Sequence, residues 1–243
     1  MQYKFVPEHA DYSDLASGRV FHSLVGHPAF PVRLASEILQ RCQAIRGDAA
    51  PCVLYDPCCG AGYHLAVLAY LHREMFSAVI GSDVDEQAVT LAAQNLSLLT
   101  PDGLDRRIAQ LEQLAAQFGK ESHQLALASA ARMRERVGAF PPFTAHTFRA
   151  SALDGSALLT GMRGAHADIV FTDVPYGQHS QWQGANTDPL QTLLEALLPT
   201  LSLVSVVAIS SDKQQKAVHE KYQRVEHFQL GKRRVVILKP ISL

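Results

Sequence analysis

Val53-Leu54-Tyr55-Asp56-Pro57-Cys58-Cys59-Gly60-Ala61-Gly62 sets the architecture of this 243-residue chain. An apolar, β-rich run ends abruptly at Asp56 and gives way to a turn of small residues. Buried parallel strands lead into loops at their carboxyl ends in this way. The following segment, Tyr63–Met75, predicts a helix. Because loops at this edge of open α/β sheets bind ligands, the segment predicts a strand–loop–helix unit with a binding site.

Apolar runs and helical patterns alternate along the rest of the chain, which predicts an α/β fold with a doubly wound, mostly parallel, Rossmann-like sheet. Five parallel strands are expected, at Cys52–Asp56, Ala78–Asp83, Thr144–Ala150, Asp168–Asp173 and Leu203–Ile209. Helices are expected at Pro31–Ala44, Tyr63–Met75, Glu86–Leu98 and Pro189–Leu201. Glu226–Leu230 and Arg234–Lys239 flank a Gly-Lys turn and predict an antiparallel edge hairpin, which brings the sheet to seven strands.

The length fits a single domain spanning 1–243. Residues 1–50 form an N-terminal lead-in that ends in a helix. Residues 101–138 break the strand–helix rhythm, because this segment is long, alanine-rich and charged. Its apolar residues recur at helical spacing, with a break at Gly119. We therefore expect a helical insertion there.

Composition excludes several classes of protein. The chain is 47% hydrophobic and 19% charged, with a formal net charge of −1, so any RNA contact must come from a local basic patch. No apolar run reaches the roughly 18 residues of a membrane helix, and the first residues lack signal-peptide order. The four cysteines have no metal-ligand spacing, which favours buried free thiols. We expect a cytoplasmic monomer with no membrane or metal partner.

The loop after Asp56 predicts the kind of cofactor. Gly60 and Gly62 let the backbone approach a ligand just before a helix begins. A pyrophosphate-binding loop would need a small residue where Leu65 stands, and Asp56 suits a cation better than a phosphate. The pattern therefore favours a cofactor that carries a positively charged amino acid, and it disfavours nicotinamide cofactors.

The end of the second strand predicts a ribose contact. Asp83 lies 23 residues beyond Gly60, where one carboxylate can accept hydrogen bonds from both ribose hydroxyls. Asp85 is the alternative, but it can instead cap the following helix. After the third strand, Ser151 stands where an adenine contact is expected, while Asp154 lies three residues further on.

A second motif, Thr172-Asp173-Val174-Pro175-Tyr176-Gly177, ends the fourth strand. A ring nitrogen that attacks an activated methyl needs an acceptor for its proton and an aromatic face for stacking. Asp173 supplies the acceptor, Pro175 rigidity and Tyr176 the stacking face. Alone, the motif could be only a tight turn after a buried strand. Together the two motifs indicate a nitrogen methyltransferase that uses S-adenosylmethionine.

The acid at position 173 favours guanine as the target. Guanine presents two adjacent donors, its ring N–H and its amino group, and one carboxylate can accept both. Adenine presents a donor beside an acceptor, which suits an amide better. A backbone carbonyl could also accept the proton, so adenine stays an alternative.

Both motifs resemble those of the class I methyltransferases, in particular the group that modifies base nitrogens. Asp56–Gly62 resembles Asp-Pro-Phe-Cys-Gly-Ser-Gly, with Cys58 in place of the aromatic residue. Thr172–Gly177 is similar to the Thr-Asp-Pro-Pro-Tyr-Gly of guanine-specific tRNA and rRNA enzymes, with Val174 replacing the first proline. The whole chain also resembles a family of avilamycin-resistance methyltransferases, including the lead-in over Arg19–Arg33 and the helical insertion.

The resemblance implies methylation of guanine N1 or N2 in 23S rRNA, free or in the large ribosomal subunit, and resistance to avilamycin. It also implies that Cys58 lies in the cofactor loop. The cations expected to contact RNA are Arg106, Arg107, Arg132, Arg134, Arg136 and Lys232–Arg234, unless these are ordinary solvated charges. Trp182 either stacks on a base or anchors its loop. The rival functions are a DNA-adenine or protein-glutamine methyltransferase, a nicotinamide-dependent oxidoreductase and a non-catalytic cofactor- or RNA-binding module.

Overall fold

The computed structural model describes residues 2–24, 29–139, 143–175, 182 and 188–243. Its strands are β1 (Cys52–Asp56), β2 (Phe76–Asp83), β3 (Thr144–Arg149), β4 (Ala167–Asp173), β5 (Leu201–Asp212), β6 (Tyr222–Leu230) and β7 (Arg233–Pro240). They form one sheet in the order β3-β2-β1-β4-β5-β7-β6. The first five in this order run parallel, and β7 pairs antiparallel with both β5 and β6. The predicted seven-stranded sheet with an antiparallel edge hairpin is confirmed.

The α-helices of the described residues are α1 (Val32–Arg46), α2 (Tyr63–Leu71), α3 (Glu86–Ser97), α4 (Pro101–Phe118), α5 (Glu121–Gly138), α6 (Gly155–Gly161) and α7 (Pro189–Leu197). Four of them begin at a residue whose side chain accepts a backbone N–H of the first turn: Asp85, Thr100, Asp154 and Asp188. None of these described helices has the length and apolar character needed to cross a membrane.

Both faces of the sheet are covered, as its parallel strands require. Side chains alternate along β1, so Leu54 joins one core and Tyr55 the other. The first core includes residues of α1 and α2, and the second includes residues of α6 and α7. The carboxyl ends of β1, β2, β3, β4 and β5 meet at one edge, where both sequence motifs lie.

The two helices of the 101–138 segment pack against each other and turn at Gly119, whose φ of 60° is left-handed. The N-terminal lead-in runs against them. Arg107 of α4 donates to the carbonyl of Val20 at 2.9 Å, and Arg132 of α5 donates to Asp14 at 2.8 Å. The same segment contacts the start of α2, where the Tyr63 hydroxyl donates to the Leu15 carbonyl at 2.6 Å.

The first residues of the chain are fixed by a buried carboxylate. Glu37 of α1 is fully buried and accepts the backbone N–H groups of residues 4–6 at 2.8, 2.8 and 2.9 Å. Arg41, one turn later, donates to Glu37 at 2.7 Å and also pairs with Glu226 of β6. This network joins the lead-in, α1 and the edge strand β6.

Candidate active site

The glycine loop between β1 and α2 is pinned to the end of β2. Gly60 and Gly62 adopt left-handed φ values of 51° and 67°. The Gly60 N–H donates to Asp83 Oδ2 at 2.8 Å. A Cβ at Gly62 would lie 2.9 Å from the Cβ of Ala92, so only glycine lets α2 begin this close to α3.

The two acids after β2 have different partners. Asp83 accepts the Gly60 N–H through Oδ2 and the Asp85 N–H through Oδ1, the latter at 3.0 Å. Asp85 is exposed and accepts the Gln87 N–H at 2.8 Å as the N-cap of α3. Asp85 thus takes the capping role that the sequence allowed for it, and the ribose role of Asp83 stays a prediction.

A cleft opens at this edge of the sheet and brings predicted residues together. Cys58, Asp83, Ser151 and Pro175 line it, together with Trp182. Asp154 does not line the cleft, because its side chain caps α6 by accepting two backbone N–H groups. The mixture of an acid, a hydroxyl and an indole suits a nucleoside, with the acid for ribose and the flat apolar groups for a base.

Asp56 lies at the end of β1 and is fully buried. Its Oδ1 accepts the Cys58 N–H at 3.0 Å. Its Oδ2 lies 3.1 Å from His64 Nε2 without the alignment of a hydrogen bond, so this oxygen has no hydrogen-bond partner among the described residues. Burial raises the pKa of Asp56 to about 8 and lowers the pKa of His64. A buried acid with an unused acceptor fits a cationic amino group of a cofactor.

Asp173 ends β4 and is only partly exposed. The Ser210 hydroxyl donates to its Oδ1 at 2.7 Å, and the Val174 N–H donates to the Ser210 carbonyl at 2.9 Å. Burial raises the pKa of Asp173, while the Ser210 hydroxyl and the nearby Arg233 charge act against this rise. The site therefore holds a carboxylate in place that binds protons more tightly than an exposed aspartate.

Pro175 follows on the same loop, and its carbonyl accepts the Gln215 side chain at 3.3 Å. Tyr176, predicted to stack on the target base, lies outside the described residues. Sequence reasoning missed His64 and Ser210 at this edge, and it named Arg233 only as an RNA contact, without relating it to Asp173. Only His64 gave a local signal, as a polar residue in the otherwise apolar first turn of α2.

Four of the five arginines predicted on the helical insertion make internal contacts; Arg106 is exposed. Arg107 and Arg132 bind the lead-in, Arg134 donates to Asp105 at 2.7 Å, and Arg136 lies 4.7 Å from the centroid of the Tyr70 ring. These contacts give the four arginines a structural role, and the RNA contact of this patch stays a prediction. Within the described part of the chain, no three His, Cys, Asp or Glu side chains are grouped as a metal site would require.

A family model described as the rRNA methyltransferase AviRa matches residues 1–233. The chain belongs to the AviRa family. The 23S rRNA (guanine(2535)-N(1))-methyltransferase of Streptomyces viridochromogenes is 40% identical over 241 residues, which is 98% of this chain and 95% of the relative. The solved rRNA methyltransferase AviRa of the same organism has a TM-score of 0.91 and 39% identity, and the match covers 99% and 97% of the two chains.

A more distant structure shares the fold alone. A Listeria monocytogenes protein described as a class I S-adenosylmethionine-dependent methyltransferase has a TM-score of 0.51 at 11% identity, covering 91% of this chain and 64% of that one. The predicted class I methyltransferase fold is therefore confirmed. Membership of the AviRa family makes this chain an rRNA methyltransferase, in preference to the DNA, protein and nicotinamide-dependent alternatives.

Proposed function

We propose that this chain transfers a methyl group from S-adenosylmethionine to N1 of a guanine in 23S rRNA. The observation that carries the proposal is the Asp173 carboxylate, which sits at the carboxyl end of β4 beside the cleft with a raised pKa. N1 of guanine carries a proton that must leave when a methyl group arrives. The relative that is 40% identical is named for this nitrogen, and this supports N1 over the amino nitrogen N2.

The cofactor's three parts find matching groups in the site. Asp56, with its unused buried oxygen, would take the amino group, and Asp83 would take the ribose hydroxyls. Gly60 and Gly62 would admit the cofactor backbone, while Cys58 and Ser151 would line its pocket. When bound, S-adenosylmethionine supplies a methyl group on a positively charged sulfur, which is already a good leaving group.

Asp173 would accept the N1 proton of the guanine. Its raised pKa makes it a stronger base than an exposed aspartate, and the Ser210 hydroxyl fixes its orientation. Pro175 would limit the freedom of the loop that carries Asp173. Tyr176 would stack on a guanine flipped out of its helix. Buried, preoriented groups of this kind reduce the cost of alignment.

The substrate implies the setting. We propose 23S rRNA or the large ribosomal subunit as partner, the cytoplasm as location and a monomer as the acting form. One methyltransferase domain would span 1–243, with the lead-in over 1–50 and the helical insertion over 101–138. A methyl group on the antibiotic's rRNA site would confer resistance to avilamycin.

Methyl transfer from labelled S-adenosylmethionine to an unmodified 23S rRNA transcript tests this function. Mass spectrometry of the digested nucleosides should find one 1-methylguanosine. Asp173→Asn should lower the single-turnover rate by about 10² or more, the scale of a lost acid–base group, and leave the cofactor Kd unchanged. Asp188→Asn is the matched control, because asparagine can still cap α7. Methylation of N2, or an unaltered rate in Asp173→Asn, would contradict the proposal.

A further inference from the structure

Three neighbouring strands place an arginine on the same side of the sheet as Asp173. Asp173 pairs in register with Ser210 of β5, and Asp212, two residues on, pairs with Arg233 of β7. Since side chains alternate, these positions share the face of Phe171, which belongs to the first core. Arg234 projects from the opposite face.

The guanidinium of Arg233 lies close to the end of β4. Its Cζ is 5.2 Å from the centroid of the Phe30 ring, and that ring lies 5.5 Å from the ring of Phe171, two residues before Asp173. The positive charge acts on the Asp173 carboxylate. Arg233 Nε is buried and has no hydrogen-bond partner among the described residues. A cation with an unused donor thus stands beside the proposed base.

Guanine chemistry gives this cation a use. When the N1–H bond breaks, its electron pair stays on the base and is shared between N1 and the adjacent carbonyl oxygen O6. The charge on O6 is stabilised by a donor that is already in place, and such preorganised donors are among the larger contributions to catalysis. Arginine is suited to carbonyl acceptors on guanine because its donors form a rigid fork.

We propose that Arg233 donates a hydrogen bond to O6 of the target guanine while Asp173 takes the N1 proton. The proton moves from N1 to an Asp173 carboxylate oxygen, and the electron pair left on N1 forms the bond to the methyl carbon. The bond between that carbon and the cofactor sulfur breaks at the same time, and its electron pair stays on sulfur and neutralises the positive charge there. This inference rests on the proposed function at guanine N1. It adds a specificity element, because adenine carries an amino donor where guanine carries O6 and would leave Arg233 facing another donor.

Single-turnover methylation with saturating RNA and cofactor tests the assignment. Arg233→Gln should lower the rate by about 10² or more, the scale found for a lost oxyanion donor. Arg233→Lys, which keeps the positive charge but not the forked guanidinium donors, should lower the single-turnover rate less than Arg233→Gln does. Arg224→Gln is the matched control, because it removes the same charge from an exposed residue of the neighbouring strand β6 that has no role in the site. It should retain the wild-type rate.

The pH profile separates this role from a structural one. Arg233→Gln removes a charge that lowers the pKa of Asp173, so the acidic limb of the rate profile should move to higher pH. The cofactor Kd of Arg233→Gln is the control for folding. It should equal the wild-type value if the site is intact. A limb that does not move would overturn the inference.

Binding measurements on the same transcript distinguish a contact of Arg233 with an RNA phosphate from the proposed contact with guanine O6. A weaker RNA Kd in Arg233→Gln, with an unchanged single-turnover rate, would overturn the inference in favour of backbone binding. Equal rate losses in Arg233→Gln and Arg224→Gln would overturn it as a general charge effect. If the wild-type protein makes no 1-methylguanosine, the proposed function itself fails. If it does and Arg233→Gln matches it, only the role of Arg233 fails.

Discussion

Asp83→Asn and Asp85→Asn form a matched pair, because both remove one negative charge from the turn after β2. Each oxygen of Asp83 already accepts one backbone N–H, from Gly60 and from Asp85. A carboxylate oxygen has a second lone pair, so both remain able to accept a ribose hydroxyl. The Asp85 side chain only caps α3.

The magnitude follows from what asparagine loses. Its single carbonyl oxygen can replace one oxygen of the carboxylate. Its NH₂ group takes the place of the second oxygen, and this donor cannot accept a hydrogen bond from the backbone N–H or the ribose hydroxyl there. A hydrogen bond to a charged group is worth about 1.5–3 kcal/mol, so Asp83→Asn should weaken cofactor binding by roughly 10- to 150-fold. The unpaired backbone N–H should also cost about 1–3 kcal/mol of unfolding free energy.

Asp85→Asn should change neither quantity, because asparagine caps helices as well as aspartate does. Calorimetric titration with S-adenosylmethionine gives the Kd, and urea unfolding gives the stability. An unaltered Kd in Asp83→Asn would refute the ribose assignment. Equal weakening in both variants would show that the lost charge, and not the contact, was responsible.

Three further predictions concern Asp56, the glycine loop and Glu37. Asp56, with a pKa raised to about 8, is mostly protonated at pH 7, and an ammonium group beside it lowers that pKa. Cofactor binding at pH 7 should therefore release close to one proton, which calorimetry in buffers of different ionisation enthalpy measures. Asp56→Asn should abolish this release. Equal proton release by the wild-type and variant proteins would argue against the contact. Gly60→Ala should lower the unfolding free energy by the roughly 1–2 kcal/mol of left-handed strain alone, because its Cβ meets nothing within 4 Å. Gly62→Ala should lower it by more, because its Cβ also meets Ala92. Thermal melts in which both alanine variants lose the same stability would contradict this. Glu37→Gln removes the charged acceptor of Arg41 and of three backbone N–H groups. It should lower the free energy of unfolding in urea by about 3–5 kcal/mol. An unchanged urea midpoint would show that the network contributes little to stability.

Much of the fold could be predicted from local pattern. β1 matches its prediction at both ends, because Pro51 and Pro57 bound the strand. The insertion turns at Gly119 as predicted. β5 was expected to stop at Ile209, but it continues to Asp212. Ser210 and Ser211 look like loop residues in sequence, yet they are buried because β7 pairs with them. Tertiary pairing extended this strand beyond its apolar run.

Candidate site residues could be chosen from the sequence where they follow a strand directly. Asp83 was preferred to Asp85 for the ribose because Asp85 precedes a helix start and can cap it, and this choice stays a prediction. α6 was missed, since seven residues are too few for a clear helical period, and its cap Asp154 was considered for the adenine pocket instead. Ser210 and Arg233 reach Asp173 only through the pairing of β4, β5 and β7, and no local pattern encodes that contact.

The network around Glu37 has a consequence for synthesis. Arg41, which secures the amino-terminal segment through Glu37, has its other carboxylate partner at Glu226, 185 residues later. The lead-in is therefore completed only by a strand far along the chain, although nascent domains generally begin to fold as they appear. Until β6 is translated, the first residues lack part of their anchor. The lead-in should thus reach its final protection from proteases only after β6 has been translated and has joined the sheet, and removal of β6 and β7 should expose it again.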